Sequence, residues 1–112
     1  MSLEHAQSGE TIRLLLGPAL GNSKTTTLVK TANLEVLRLI LPTGKEIPTH
    51  QAAGEITIHC LEGRVELTAE GKTHELAPGQ MVYLAAGAPH AVKGIQNSSL
   101  LVTLLLGKTK PS

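Results

Sequence analysis

"GKEIPTHQAAGEITIHCLEG", residues 44–63, decides the fold of this chain. Its second half alternates along 55–61, a pattern typical of a β-strand because successive strand side chains point to opposite faces. The turn pair Glu62-Gly63 closes the strand. A single histidine, His50, stands ahead of it among small residues. The stretch therefore predicts a strand that presents one side to an interior, and the side chains that share this side are Ile56, Ile58 and Cys60.

The rest of the chain has a similar pattern of residues. Short apolar or alternating runs are separated by turn residues, which indicates an all-β protein. No window of ten or more residues keeps a helical period without a Gly, Pro or β-branched interruption. The other predicted strands are 11–16, 25–30, 34–41, 64–69, 72–76, 80–84, 90–95 and 99–106.

The length of the chain limits its organisation. With 112 residues it can build one domain with one core, but not two. We expect a loosely ordered N-terminal segment over 1–10, a β-barrel domain over 11–107 and a C-terminal tail over 108–112. Between strands 64–69 and 72–76, the pair Glu70-Gly71 predicts a two-residue hairpin, since glycine tolerates a positive φ there.

Strand 34–41 carries apolar side chains on both faces. An apolar outer face in so small a protein requires a cover, and we expect a second subunit of a homodimer to supply it through a sheet surface. The first face holds only apolar residues, whereas the second holds Arg38 between two of them; the apolar members are Leu37, Leu39 and Leu41 on the first face and Val36 and Ile40 on the second.

Composition excludes several classes of partner. The net charge is +1 with scattered lysines, so no basic stripe is present to bind phosphates. Phe and Trp are absent and Tyr83 is the only aromatic residue, which removes the stacking platforms that single-stranded nucleic acid needs. The core must therefore be built from Leu, Ile, Val and Ala, and we expect no nucleic-acid partner.

The cellular compartment follows from a few absences in the sequence. The longest apolar runs, such as 100–106, are far too short to cross a bilayer, and no basic segment followed by an apolar run begins the chain. Cys60 is the only cysteine, so it cannot form an intrachain disulfide. We therefore expect a cytoplasmic protein with no membrane partner.

Two motifs in the chain match a known family in spacing. The first signature of the cupin family is Gly-x5-His-x-His-x3-Glu-x6-Gly, and the second is Gly-x5-Pro-x-Gly-x2-His. Both occur here in order and cover about half of the chain, so the sequence resembles a small single-domain cupin. This resemblance implies an all-β jelly-roll barrel, the double-stranded β-helix. The matching residues are Gly44, His50 and Gly63 in the first motif and Gly79, Gly87 and His90 in the second, with Ala85 at the proline position.

The resemblance also implies a metal site, but this chain departs from it. The four ligand positions of the family fall on His50, Ala52, Ile56 and His90, so two of the four ligands are lost. Two imidazoles remain as candidate ligands for a weakly held divalent metal, namely Zn, Ni, Fe or Mn. Cys60 shares the parity of Ile56, but it lies roughly 13 Å farther along the strand.

Further residues are candidates for the lining of a pocket. Ile56, Ile58 and Cys60 share one face of their strand and should point inward together. Arg38 could bind a carboxylate ligand in the cavity or pair with an acid across a subunit boundary; extension of its side chain to the sheet edge is the interpretation we favour. Tyr83 either lines the cavity with its hydroxyl or fills the core.

The sequence supports three functional hypotheses and names no substrate. The leading one is a small-molecule-binding cupin with His50 and His90 at the bottom of an apolar pocket and at most a weakly bound metal. The second is a metal-dependent enzyme of the dioxygenase or isomerase type, which uses the same two histidines and an unidentified third ligand. The third is a non-catalytic sensor or structural protein.

Overall fold

The computed structural model describes residues 5–106 and confirms the all-β class. Within these residues a short 3-10 helix, Gly17–Asn22, precedes nine strands. The strands are β1 (Thr26–Lys30), β2 (Leu34–Leu41), β3 (Glu46–His50), β4 (Ile56–Glu62), β5 (Val65–Ala69), β6 (Lys72–Leu76), β7 (Met81–Leu84), β8 (His90–Gly94) and β9 (Ser98–Leu105).

The strands form two antiparallel sheets that face each other as a jelly roll. The five-stranded sheet has the order β1-β2-β9-β4-β7, and the four-stranded sheet has the order β3-β8-β5-β6. Because non-consecutive strands are neighbours in both sheets, residues far apart in the chain meet. The core between the sheets is aliphatic, as the composition predicts; its most deeply buried members include Leu41, Ile58, Val65, Leu67 and Leu100.

The predicted hairpin between β5 and β6 is confirmed. Ala69 pairs with Lys72, so two residues make the turn. Glu70 has a φ of 53° and Gly71 a φ of 75°. Positive φ at both central positions is what a type I′ turn requires, and the twist of this turn matches that of the strands beside it.

The predicted strand over residues 11–16 is wrong. Residues 11–16 belong to no strand or sheet, and Leu16 already has helical angles, with a φ of −100° and a ψ of −23°. The glycines and proline that follow form the 3-10 helix Gly17–Asn22. We call residues 11–16 the arm. Its sequence has strand character, but local pattern cannot supply the neighbouring strand that a ladder needs. Residues 1–4 of the predicted N-terminal segment and the predicted tail 108–112 lie outside the described part of the chain.

Strand β3 was not predicted from the sequence. Its sequence, EIPTH, contains Pro48 and is mostly exposed, so it lacks the usual strand pattern. A proline has no backbone N–H to donate to a neighbouring strand. Because β3 lies at the edge of its sheet, the side that faces away from β8 has no neighbouring strand and requires no N–H donor.

Strand β2 shows the predicted separation into two faces. Leu37 and Leu39 point into the barrel, and Arg38 lies on the opposite side with its two apolar neighbours. We call that opposite side of the five-stranded sheet the outer face. Its side chains from the described strands include Val36, Arg38, Ile40, Thr57, His59, Met81, Tyr83, Leu101, Thr103 and Leu105. None of the helical segments within residues 5–106 has the length and apolar character that a bilayer crossing requires.

Candidate functional site

A cavity of about 280 Å³ lies between the two sheets. Its wall is almost wholly aliphatic, and its polar side chains are two histidines and one glutamine. The apolar lining comes from five strands and the loop after β3: Leu37, Leu39, Ile47, Ala52, Ile56, Ile58, Val92, Val102 and Leu104.

The structure brings His50 and His90 together at one end of this cavity. Strand β3 pairs with β8, and the register sets the backbone of His50 opposite that of His90 after an irregularity in the ladder. Their ring centroids are 4.3 Å apart, with the ring planes tilted by 55°. His90 is 2% exposed whereas His50 is exposed, so the pair connects the interior to the mouth of the cavity.

Backbone contacts assign the protons of both rings. Nδ1 of His50 lies 3.0 Å from the carbonyl oxygen of Pro48, and Nδ1 of His90 lies 3.0 Å from that of Ala88. A carbonyl oxygen only accepts, so each Nδ1 must carry the hydrogen. In the neutral rings both Nε2 atoms are then left with a lone pair. The site therefore offers two acceptors, or two metal-ligand atoms, in apolar surroundings.

The full ligand set that the resemblance implies does not fit this cavity. Ala52 and Ile56 both line the cavity near the histidines, and neither carries a lone pair on its side chain. Among residues 5–106, no group of three or more His, Cys, Asp or Glu side chains is arranged to hold a metal ion. The two imidazole nitrogens give one protein ligand fewer than the three that catalytic zinc sites have.

Tyr83 does not line the cavity, so its assignment as a pocket residue is wrong. Val82 and Leu84 point inward from β7, so Tyr83 points outward and is 55% exposed. Its hydroxyl donates to the carboxylate of Glu55. This hydrogen bond to Glu55, together with partial desolvation and the negative charge, raises the pKa of Tyr83. Glu55 is not among the residues that line the cavity of the two histidines.

Arg38 also lies outside the cavity. Its Nη1 donates to the carbonyl oxygens of Arg13 at 3.0 Å and Leu14 at 3.4 Å, both in the arm. The side chain thus spans the outer face rather than reaching a carboxylate ligand, because Leu37 and Leu39 occupy the inward positions of β2.

Cys60 is buried at 0% exposure but does not reach the cavity. Its Sγ lies 3.6 Å from the carbonyl oxygen of Glu62 and 3.7 Å from that of Gly63, at the far end of β4. Burial raises the pKa of this thiol. Ile56 and Ile58, from the same face of the strand, do line the cavity, so one face of β4 crosses from site to core.

Sequence reasoning missed several residues of the wall. Ile47 lies on the unpredicted strand β3, and Gln51 lies in the loop beyond it. Leu37, Val92 and Val102 belonged to predicted strands, but their contribution depends on which strands are neighbours. Alternation would have identified their inward parity; only the sheet order could show that they surround the histidines.

A second polar cluster forms around Glu62, away from the cavity. Its carboxylate accepts from the backbone N–H of Leu16 at 3.0 Å, from that of Gly17 at 2.7 Å, and from the hydroxyl of Ser99. Desolvation opposes ionisation, but these hydrogen bonds, from Ser99 first, together hold the pKa of Glu62 below its ordinary value. Glu62 therefore fastens the end of the arm to the sheet.

This lowered pKa predicts a pH-dependent contribution to stability. Ionised Glu62 should stabilise the fold by about 1 kcal/mol relative to Glu62→Gln, since hydrogen bonds to a charged group exceed neutral ones, but this group is partly solvated. The contribution should be complete above roughly pH 4.3 and disappear as the pH falls through the folded-state pKa. Urea unfolding of both proteins between pH 7 and pH 3 measures it. Glu66→Gln, at an exposed carboxylate of β5, is the control; an equal pH response in both variants would contradict the assignment.

Comparison with known proteins gives a consistent result. The family profile described as "Cupin domain" matches residues 37–105, which is more than half of the chain. No curated protein matches the sequence significantly. The matched range begins within β2, ends with β9 and includes both histidines of the cavity.

Solved structures share the fold at low sequence identity. A conserved protein of unknown function from Streptococcus pyogenes aligns with a TM-score of 0.74 and 23% identity, over 97% of this chain and 100% of its own. A cupin superfamily protein from Desulfitobacterium hafniense aligns with a TM-score of 0.74 and 14% identity, over 94% and 97%. The DMSP lyase DddQ from Ruegeria pomeroyi aligns with a TM-score of 0.67 and 24% identity, over 87% and 53%. At these sequence identities, the similarities show a shared fold and nothing more.

Proposed function

The chain belongs to the cupin family, and from this premise we propose that its barrel cavity binds a small, largely apolar molecule through the two imidazoles. The observation that carries the proposal is the arrangement of His50 and His90. Their rings lie 4.3 Å apart in an aliphatic cavity, and backbone carbonyls hold both Nδ1 protons. The two Nε2 lone pairs are then the polar contacts that the rings offer to a ligand.

The cavity favours a ligand of restricted size and charge. A volume of about 280 Å³ equals that of about nine water molecules at roughly 30 Å³ each. This is at the small end of ligand pockets. Within residues 5–106 no charged side chain lines the wall, so a neutral ligand is favoured over an ion, whose burial would lack a partner. A small molecule with one hydroxyl or N–H donor and an apolar body matches both the lone pairs and the wall.

A divalent metal at the two histidines would be weakly held in this proposal. Two neutral imidazoles suit Zn, Ni, Fe or Mn by ligand type, but water or a ligand would have to complete the coordination. The metal-dependent enzyme is the second candidate. It rests on the same two Nε2 atoms and needs a third ligand that residues 5–106 do not provide at the site. The lone free thiol, Cys60, supports a reducing compartment such as the cytoplasm.

Phenol and benzene form a matched pair of probes for the polar contact. They have the same ring, but only phenol donates a hydrogen bond. We expect isothermal titration calorimetry to show that phenol binds at least about tenfold more tightly, because one hydrogen bond in an apolar site contributes about 1.5 kcal/mol. In the double variant His50→Phe/His90→Phe the preference should vanish, since both lone pairs are removed while the ring volume remains.

The control is His74→Ala, at an exposed histidine on β6, which should keep the preference for phenol. Equal binding of phenol and benzene by the wild type, or binding of neither, would contradict the proposal. Dialysis against zinc separates the second candidate. If the wild type retained one zinc per chain and the double variant retained none, the metal-dependent hypothesis would replace the weak-site version.

A further inference from the structure

A second depression, which we call the groove, lies where β9 ends and β4 begins. Its volume is about 830 Å³, which is within the size range of small-molecule sites. The wall is formed by the loop before β4, the end of β9, and β7 with the residues that follow it. Most of these residues are alanine or leucine, so the groove is largely apolar; its alanines are Ala52, Ala53, Ala85 and Ala86.

The groove adjoins the cavity that contains the two histidines. Ala52 and Leu104 belong to the walls of both spaces. His50, Gln51 and Ala52 are consecutive and all line the cavity, so the shared wall lies at its histidine end. Ala52 occupies a ligand position of the family signature, where a histidine would carry an imidazole into this boundary. With only a methyl group there, a ligand of the cavity has room to extend into the groove.

Backbone contacts hold the walls of the groove in place. The N–H of Leu105 donates to the carbonyl oxygen of Glu55 at 3.1 Å, and the N–H of Gly87 donates to that of Ala52 at 2.9 Å. Gly54 packs so closely on β9 that a Cβ there would overlap the carbonyl oxygen of Leu105. The loop before β4 is therefore fixed to two neighbouring segments, and a ligand does not have to order it on binding.

Glu55 supplies the charge of the groove. Among the described residues of the wall it is the one charged side chain. Its Oε2 accepts from the hydroxyl of Tyr83, which orients the carboxylate, and it forms no ion pair within residues 5–106. The ring of Tyr83 also lines the groove, and aromatic faces attract ammonium groups. An oriented carboxylate beside an aromatic ring and an apolar wall is complementary to a ligand that carries an ammonium group.

We propose that the groove extends the ligand site of the cavity and binds the protonated amino group of a small amine whose apolar body lies in the barrel. This inference rests on the proposed function, because it assigns the cavity to the body of the same ligand. The ammonium group lies at Glu55, outside the uncharged cavity, so it retains water and its charge is not buried without a partner. A ligand with a carboxylate at the same position would be repelled by Glu55.

Three phenols that differ in their para substituent test the ammonium subsite by isothermal titration calorimetry at low ionic strength. Tyramine carries an ammonium group, para-propylphenol has a methyl group in its place, and phloretate ends in a carboxylate. We expect tyramine to bind about fivefold more tightly than para-propylphenol, at the upper end of the range for exposed ion pairs. Phloretate should bind more weakly than both. The preference for tyramine should decrease as salt is added, since salt screens exposed charges.

Glu55→Gln is the variant that should lose the preference for tyramine. Glutamine keeps the size of the side chain and an oxygen that can accept from Tyr83, but it removes the charge. Glu55 is exposed, so the variant should fold, and circular dichroism checks this. Glu66→Gln, at an exposed carboxylate of β5, is the control and should keep the preference. An equal preference in Glu55→Gln and the wild type would overturn the proposal.

Two further measurements separate this inference from the proposed function. Phenol should compete with tyramine for one site per chain; simultaneous binding of both would contradict a continuous site. In His50→Phe/His90→Phe the preference for phenol over benzene should vanish, whereas tyramine should still bind more tightly than para-propylphenol. If the wild type prefers phenol over benzene but not tyramine over para-propylphenol, the ammonium subsite is wrong and the proposed function stands. The reverse result would contradict the histidine contacts and support the subsite.

The lysines that follow the described chain are the alternative occupants of the subsite. Lys108 and Lys110 come after Leu106, which is a residue of the groove wall. The variant Lys108→Gln/Lys110→Gln should bind tyramine with unchanged affinity if the subsite serves a free amine. A gain in affinity of about threefold or more would show that a lysine of the chain itself competes for Glu55, and it would overturn the proposal.

Discussion

Replacement of Gly63 by alanine is expected to lower the free energy of unfolding by about 4 kcal/mol, in the range reserved for severe single substitutions. Gly63 has a φ of 85°, in the left-handed region where a Cβ is strained. A Cβ there would also overlap the carbonyl oxygen of Asn97 and the hydroxyl oxygen of Ser98, and it would lie 2.7 Å from the Cα of Ser98. Two of these three atoms belong to backbone, so they cannot rotate away.

The neighbourhood of Gly63 explains why relaxation would be costly. Ser98 is fully buried, and its hydroxyl accepts from the backbone N–H of Arg64 at 2.9 Å. The same hydroxyl lies 3.0 Å from the carbonyl oxygen of Arg64 and 2.7 Å from that of Gln96. Displacing Ser98 would break bonds that join the β4–β5 turn to the start of β9. A buried polar group without partners is itself costly.

Gly71→Ala is the matched control for Gly63→Ala. Gly71 has a φ of 75°, close to that of Gly63, but no heavy atom lies within 4 Å of the position that its Cβ would take. This variant should therefore lose only the backbone term, about 1 kcal/mol. Urea unfolding at one fixed protein concentration measures both variants. If the two losses agreed within experimental error, the steric explanation of Gly63 would be wrong.

Truncation of Leu67 to alanine is expected to cost about 3 kcal/mol. Leu67 is 0% exposed at the centre of β5, which has neighbouring strands on both sides. The loss combines the transfer of buried methyl groups with the cavity that remains. The core lacks Phe and Trp, and its aliphatic side chains are held between two hydrogen-bonded sheets, so we expect little collapse around the gap.

Ile95→Ala is the control variant for Leu67→Ala. It tests whether the loss of stability at Leu67 comes from the burial of the side chain rather than from its truncation alone. Ile95 is an aliphatic residue of the same size as Leu67, but it is 39% exposed outside the strands. Its truncation should cost less than about 1 kcal/mol. Thermal or urea unfolding of the two variants gives the comparison. A cost for Ile95→Ala equal to that of Leu67→Ala would show that Leu67 is not the core residue described here.

The sequence predicted most of the fold because strand alternation is a local property. β2 and β6 have the predicted bounds, and the Glu70-Gly71 turn follows from the side-chain requirements of a positive φ. The two failures have one cause. The arm has strand-like residues without a neighbouring strand, whereas β3 has a neighbour despite Pro48. Pairing is decided by tertiary neighbours, which local pattern does not contain.

What the sequence alone determined is therefore the alternation of each strand, an aliphatic core, and two histidines at the spacing of the family with two ligand positions emptied. Which side of each strand became interior was decided by the tertiary structure. Parity assigns Arg38 and Tyr83 to one of two faces, but only the sheet order shows that their face is the outer one. The contact of His50 with His90 likewise depends on β3 pairing with β8. The physical reason is that a strand's faces are equivalent until a second sheet packs against one of them.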